Sequence, residues 1–261
     1  MTIRILVSDK ISDEGLAILR GSGFEVVYKP EISHEDLVKE ISEYDALVIR
    51  SRTNVTADVL QNGKRLKVVG RAGVGLDNVD VATATKLGII VMNTPGGNTI
   101  STAEHTMAML TSLARMIPQA DRSMHEGKWE KKNFVGVELY RKVLGVIGLG
   151  RIGTEVAKRA LAYGMQVLGY DPYISSETVK KLGIRQATVE EICKEADFIT
   201  VHVPLNDQTR NLIDRPQIEM MKPTVRLINC ARGGIINEDA LLEALKSKRI
   251  AGAALDVFTQ E

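Results

Sequence analysis

Cysteine is nearly absent. The 261 residues contain two, Cys193 and Cys230, and two thiols do not make the disulfide framework of a small secreted domain. No apolar run is long enough to cross a bilayer, and the first residues lack the pattern of a signal peptide. We therefore expect a cytoplasmic chain. The net charge is only +1, which gives no electrostatic reason to expect nucleic acid or an acidic membrane surface as a partner. Aromatic residues are 4% of the chain with a single tryptophan, Trp129, which reads as a dimer-interface or core anchor. There is no low-complexity tract and no short solenoid repeat, and no metal site is expected.

Aliphatic side chains are what the sequence has in quantity. Hydrophobic residues make up 44%, enough for a buried core, and the Val/Ile/Leu runs suit parallel strands covered on both faces. Runs at 3–8, 24–28, 46–49, 66–69 and 89–92 read as strands. Helical patterns at 13–20 and 35–41 separate them, the second behind a capping-box pair, Ser33 and Asp36. A turn-forming run at 93–98 is the best boundary. After it come a long helix over 100–116, stopped by Pro118, and a shorter one over 119–126. A second array has strands at 143–147, 165–170, 198–202, 225–229 and 251–257. Its helices include 189–194, behind a Thr188/Glu191 capping box, and 238–246, capped by Asn237. This alternation predicts an α/β protein with two doubly wound parallel sheets.

The most informative stretch is 143–171. A short strand runs into Gly148, Gly150 and Gly153 at GxGxxG spacing, and an amphipathic helix follows. Gly148 allows the tight turn, Gly150 lets a pyrophosphate approach the backbone, and Gly153 lets helix and sheet pack closely. The helix N-terminus offers N–H groups and partial positive charge to phosphates. Asp171 ends the next strand, 23 residues after Gly148, where an acid accepts hydrogen bonds from the adenosine ribose. A carboxylate there repels a 2′-phosphate, so NAD is favoured over NADP. Ligands bind beyond the carboxyl ends of strands in such sheets, which places Asp171, His202, Arg232 and Asp256 along one crevice.

Several segments together resemble one family, the D-isomer-specific 2-hydroxyacid dehydrogenases. Among them are VVGRAGVGLDNVDV (68–81), VMNTPGGNTISTAEHTMAML (91–110), VIGLGRIG (146–153), NCARGGIINEDALLEAL (229–245) and AGAALDVFTQE (251–261). The resemblance implies a flavodoxin-like substrate-binding domain over 1–95, completed by a return segment beyond Glu261, and a Rossmann NAD domain over 96–261. It implies NAD-dependent oxidation of D-3-phosphoglycerate to 3-phosphohydroxypyruvate, a step of serine synthesis, and a homodimer formed through 100–133.

The resemblance also assigns residues. Gly148, Gly150, Arg151, Ile152, Gly153, Asp171, His202, Val203, Pro204, Cys230, Ala231, Arg232 and Asp256 would contact NAD, Asp256 through the nicotinamide carboxamide. Arg232 would bind the substrate's carboxylate and carbonyl region, as a planar fork of donors suits. Arg50, Ser51, Arg52, Arg71, Gly73, Val74 and Gly75 would hold substrate. Arg50 and Arg52, at i and i+2 of an extended segment, would converge on its phosphate, and the bare N–H groups of the 73–75 turn on its carboxylate. Cys193 reads as core.

Glu261 lies 29 residues after Arg232, the family's spacing between its arginine and its catalytic glutamate. That glutamate supports a histidine acid–base found beyond the position of Glu261. The histidines of this chain are His34, at an exposed helix start, His105, a packing residue of the long helix, His125 and His202. We expect the dinucleotide site to form and catalysis to be impaired. Two alternatives stand beside this reading: a glyoxylate or hydroxypyruvate reductase of the same family, and a non-catalytic NAD(H)-sensing module that binds protein partners.

Overall fold

Short strands joined by helical crossovers can pair side by side only in parallel, and every strand pair described here does so. The computed structural model describes residues 2–261. It divides into two units, Met1–Asn98 and Thr99–Glu261.

The first unit runs β1 (Arg4–Val7), α1 (Asp13–Gly21), β2 (Glu25–Tyr28), α2 (His34–Glu40), β3 (Ala46–Ile49), α3 (Ala57–Asn62), β4 (Val68–Arg71), α4 (Val81–Lys86) and β5 (Ile90–Met92). Its strand order is β2-β1-β3-β4-β5, the flavodoxin-like order, which reverses direction between β1 and β3. Side chains alternate across the sheet. Leu6, Leu47, Ile49 and Val69 pack with Leu37, Val59, Leu60 and Ala84 from α2, α3 and α4. Ile5 and Val7 face the other way, onto Leu16 of α1.

The capping box expected at Ser33 is only half made. Ser33 Oγ accepts from the Asp36 N–H at 3.1 Å, but the Asp36 carboxylate takes the Ser33 hydroxyl at 2.7 Å instead of the Ser33 N–H. Aspartate is one methylene shorter than the glutamate of a full box and does not reach back. The Ser33 hydroxyl holds the Asp36 carboxyl below its usual range. With glutamate at the same position the Thr188/Glu191 box closes fully.

The second unit opens with α5 (Thr99–Arg115) and α6 (Ile117–His125). Pro118 does not stop α5. Met116 ends it in the left-handed region (φ 55°), and Pro118 sits in the first turn of α6, where its missing N–H costs nothing. Then follow β6 (Val143–Ile147), α7 (Arg151–Ala162), β7 (Gln166–Tyr170), α8 (Ser176–Lys181), β8 (Arg185–Gln186), α9 (Val189–Glu195), β9 (Phe198–Val201), α10 (Arg215–Met220), β10 (Arg226–Asn229), α11 (Glu238–Lys246) and β11 (Gly252–Leu255). The strand order β11-β10-β9-β6-β7-β8 is the dinucleotide-binding order, reversing between β6 and β9. Ile147, Ile199 and Leu227 pack on one face with Ile192 of α9. Leu144, Val146 and Phe198 pack on the other with Ala157 of α7 and Leu110 of α5. Cys193 is fully buried, as expected. Trp129 is 78% exposed and is no core anchor. Among the described residues no helix is long and apolar enough to cross a membrane.

Candidate active site

The second unit's glycine turn lies at the β6/β9 switch point. Gly148 has φ +94°, and a Cβ there would stand 2.6 Å from the His202 carbonyl oxygen. A Cβ on Gly153 would stand 1.9 Å from the Gly148 oxygen, so α7 approaches the turn as closely as it does only without a side chain. Gly150 caps α7 with extended backbone and no side-chain hydrogen bond, and the space around its α-carbon is open. The N–H groups of Arg151, Ile152 and Gly153 open the helix and have no acceptor within it.

Asp171 follows β7, and its carboxylate is tied to this turn. One oxygen accepts from the Leu149 N–H at 2.9 Å and the other from the Tyr173 N–H at 2.8 Å. Each oxygen keeps further acceptor capacity. An open, positively polarised cradle with a carboxylate fixed beside it fits a dinucleotide whose ribose is unphosphorylated.

The other predicted residues follow the carboxyl ends of β9, β10 and β11. His202 is half-buried with Nε2 3.0 Å from Thr200 Oγ1, and desolvation lowers its pKa from 6.5 to about 4. The ring is therefore neutral at neutral pH. Val203 is half-buried beside Gly148, and Pro204 is exposed. Asn229, the last residue of β10, closes the turn that carries Arg232. Its Oδ1 accepts from the Ala231 N–H at 2.9 Å and its Nδ2 donates to the Arg232 carbonyl at 2.8 Å. The Arg232 guanidinium donates to the Ala231 carbonyl at 2.7 Å. Cys230 is buried, and burial pushes its thiol pKa up. Beyond β11, the Asp256 N–H donates to Asn229 O at 2.9 Å.

His105 is not the packing residue expected. Its side chain is 47% exposed, and Nε2 lies 3.1 Å from Asp256 Oδ1. Glu261 accepts from the Phe258 N–H at 3.1 Å. The segment before it is docked, with Thr259 donating to Glu238. The four histidines have partners other than Glu261: Asp58 for His34, Asp256 for His105, Asp121 for His125 and Thr200 for His202.

In the first unit, Arg50 and Arg52 lie beyond β3 as expected, and each guanidinium has its own partners. Arg50 donates to Lys10 O at 3.3 Å. Arg52 donates to Ser8 O at 2.8 Å and Ile32 O at 3.3 Å and pairs with Asp9 at 3.3 Å. Sequence spacing fixes only the side of the strand, while the buried Asp9 carboxylate decides where Arg52 points. The 73–75 turn is not wholly bare either. The Gly73 N–H donates to Arg71 O at 2.9 Å, and the Arg71 guanidinium lies over Gly73, donating to Gly75 O at 2.5 Å. Val74 and Gly75 are half-buried, and Ser51 is exposed.

Residues 107–261 match the model of the D-isomer specific 2-hydroxyacid dehydrogenase NAD binding domain. The chain belongs to this family. The match lies within the second unit, and NAD is the cofactor. The chain is 54% identical over 259 residues to the D-3-phosphoglycerate dehydrogenase of Bacillus subtilis, covering 99% of this chain and 49% of that protein. It is 51% identical, with the same coverage, to the D-3-phosphoglycerate dehydrogenase of Archaeoglobus fulgidus. The chain thus spans about half the length of the curated relatives it matches. Among solved structures it resembles the D-lactate dehydrogenase of Aquifex aeolicus complexed with NAD and lactic acid. That likeness has a TM-score of 0.88 at 30% identity and covers 98% of this chain and 77% of the other.

Three side chains close to the predicted site residues carried little signal of their own. Asp9, Asn78 and His105 act through partners far away in the sequence. Asp9 alone had a hint, an acid directly after a buried strand.

Proposed function

We propose that these 261 residues hold the cofactor and substrate of an NAD-dependent oxidation of D-3-phosphoglycerate at C2 to 3-phosphohydroxypyruvate, in the cytoplasm. The observation that carries the reading is the open cradle at Gly150 with Asp171 tied to it. It stands in a chain about half identical, over nearly its whole length, to proteins named D-3-phosphoglycerate dehydrogenase.

Bound NAD supplies the acceptor for the hydride that leaves C2. Gly148, Gly150 and the first turn of α7 hold its pyrophosphate charge, and Asp171 accepts from the ribose hydroxyls. Asp256 accepts from the carboxamide. Arg232 offers a carboxylate two parallel donors and polarises the C2 oxygen. Arg50 supplies the phosphate's cation, with Ser51 and Arg52 shaping the loop around it. Arg71 and the 73–75 turn hold the carboxylate end.

Oxidation needs a base at the C2 hydroxyl. Glu261 is proposed to support it, and none of the four histidines is paired with Glu261. The 261-residue polypeptide is therefore expected to bind NADH and 3-phosphoglycerate but to turn over below about 1 per second. It is expected to dimerise through 100–133, where Ile117, Met124 and Trp129 are exposed. Fluorescence titration with NADH, calorimetry with 3-phosphoglycerate and a steady-state assay test the function, and analytical ultracentrifugation tests the dimer. Failure to bind NADH overturns the proposal. Faster turnover overturns the impairment, and tighter binding of plain than of phosphorylated hydroxypyruvate favours a reductase.

A further inference from the structure

Asp9 and Asn78 grip the same two residues from opposite sides. Asp9, 2% exposed, accepts from the Arg50 N–H at 2.5 Å, the Thr53 N–H at 3.1 Å and the Thr53 hydroxyl at 2.8 Å. It also pairs with Arg52 Nε at 3.3 Å. Asn78 Nδ2 donates to the Arg50 carbonyl at 2.7 Å and to the Thr53 carbonyl at 2.6 Å. Both backbone polar groups of Arg50, and both of Thr53, are thereby held by two side chains. Ser51 and Arg52, between them, are exposed.

The arms of this clamp are themselves anchored. Asp9 lies two residues past the end of β1, and Ser8 Oγ, between them, lies 3.0 Å from Thr53 Oγ1 in the interior. The Asn78 carbonyl accepts from the Val55 N–H at 2.8 Å, and Val55 bridges Val79 in parallel. The contact between Asp9 and the loop spans the gap from β1 to β3. That gap is where the strand order of this unit reverses and where such sheets take their ligands.

A buried carboxylate is a weak way to stabilise a fold, because its desolvation offsets most of what its partners return. What it does well is specify geometry: four donors converging on two oxygens allow one backbone path. We propose that Asp9 and Asn78 are positioning residues that hold the 50–53 loop in the shape that takes the phosphate of the substrate. The inference rests on the reading of that loop as substrate-binding.

The test uses the 261-residue chain and two variants. Asn78→Ala removes the donors to both carbonyls. Asp9→Asn leaves one oxygen for the two backbone N–H groups but sets an amide against Arg52. Amide hydrogen exchange at Arg50 and Thr53 reads the clamp, and calorimetry with 3-phosphoglycerate and with unphosphorylated glycerate reads the loop. NADH titration reads the other unit. In Asn78→Ala the amides keep Asp9 as acceptor but the loop, with both carbonyls released, opens more often, so both exchange faster and 3-phosphoglycerate binds about tenfold more weakly, while glycerate and NADH bind as before. Asp9→Asn keeps the amide protection and loses part of the affinity for 3-phosphoglycerate. If Asp9→Asn does not fold, Asn78→Ala, at a half-buried position, decides alone. Wild-type affinity for 3-phosphoglycerate in Asn78→Ala overturns the positioning role, whatever its amides show. A wild-type chain that does not bind 3-phosphoglycerate, with both amides protected, overturns the substrate reading and this inference with it.

Discussion

His105 Nε2 lies 3.1 Å from Asp256 Oδ1, joining α5 to the residue that follows β11. Both side chains are about half exposed, so the pair is worth at most about 1 kcal/mol. Its consequence is orientation, since it fixes which way the Asp256 carboxylate turns. His105→Leu is expected to leave the melting temperature nearly unchanged and to weaken NADH by no more than about fivefold. His105→Gln, which keeps a donor, should restore the affinity. Equal NADH affinity in all three proteins would remove the pair from cofactor binding.

Asp171 should decide between the two nicotinamide dinucleotides. Asp171→Asn removes charge-assisted acceptors from the ribose and is expected to weaken NADH about tenfold to a hundredfold. NADPH should gain, because the 2′-phosphate no longer meets a carboxylate. Fluorescence titration with both nucleotides measures the ratio, and an unchanged ratio would place the adenosine elsewhere.

Arg50 and Arg52 should separate in mutagenesis. Arg52→Ala takes the cation from the buried Asp9 and two carbonyl contacts from the loop. It should cost about 1–3 kcal/mol of stability. Arg50→Ala removes one exposed contact to a carbonyl and should change stability by less than about 0.5 kcal/mol, while weakening 3-phosphoglycerate at least as much as Arg52→Ala does. Denaturation midpoints set beside calorimetric affinities check both halves.

His202 predicts a pH dependence with a defined sign. Its folded pKa is about 4, below its ordinary 6.5, because of desolvation. As pH falls below 6.5 the unfolded chain takes up this proton first, so unfolding gains between about pH 6.5 and 4. At neutral pH the residue exacts no such penalty. The drop in melting temperature from pH 7 to pH 5 should be smaller in His202→Gln than in the parent. An identical drop would mean that the ring is solvated.

The two thiols should be inert in the folded chain. Burial pushes the Cys193 thiol up to about 12, with the Glu190 carboxylate adding to the shift, and Cys230 is also raised by burial. The thiolate is the reactive form. Alkylation at pH 8 should therefore wait for unfolding, and rapid labelling of either cysteine in native buffer would contradict this burial.

Much of the architecture was legible because it is local. Strand-like runs alternated with helical patterns, and the glycines of the 148–153 turn and Asp171 stand at a spacing set by one βα unit. Four six-residue helices, α3, α4, α8 and α10, were not legible, being too short for a hydrophobic stripe. Their caps were the better sign: Asp80 for α4, Ser175 for α8, and Asp214 with Gln217 in a full box for α10. The site residues were placed by motif and by resemblance, but their partners were not. Asn229, for instance, shapes the Arg232 turn through hydrogen bonds that spacing alone does not foretell.

The amino-acid order by itself determined where the chain turns, that its strands run parallel and where a glycine turn opens a helix. Each of these depends on residues within a few tens of positions. Tertiary structure alone decided that Asp9 and Asn78 close on the 50–53 loop, across 41 and 28 residues to Arg50, and that Arg52 turns inward to a carboxylate. It also set His105 against Asp256. A side chain's partner is chosen by what the folded sheet brings within hydrogen-bond reach, and local propensity carries no information about that distance.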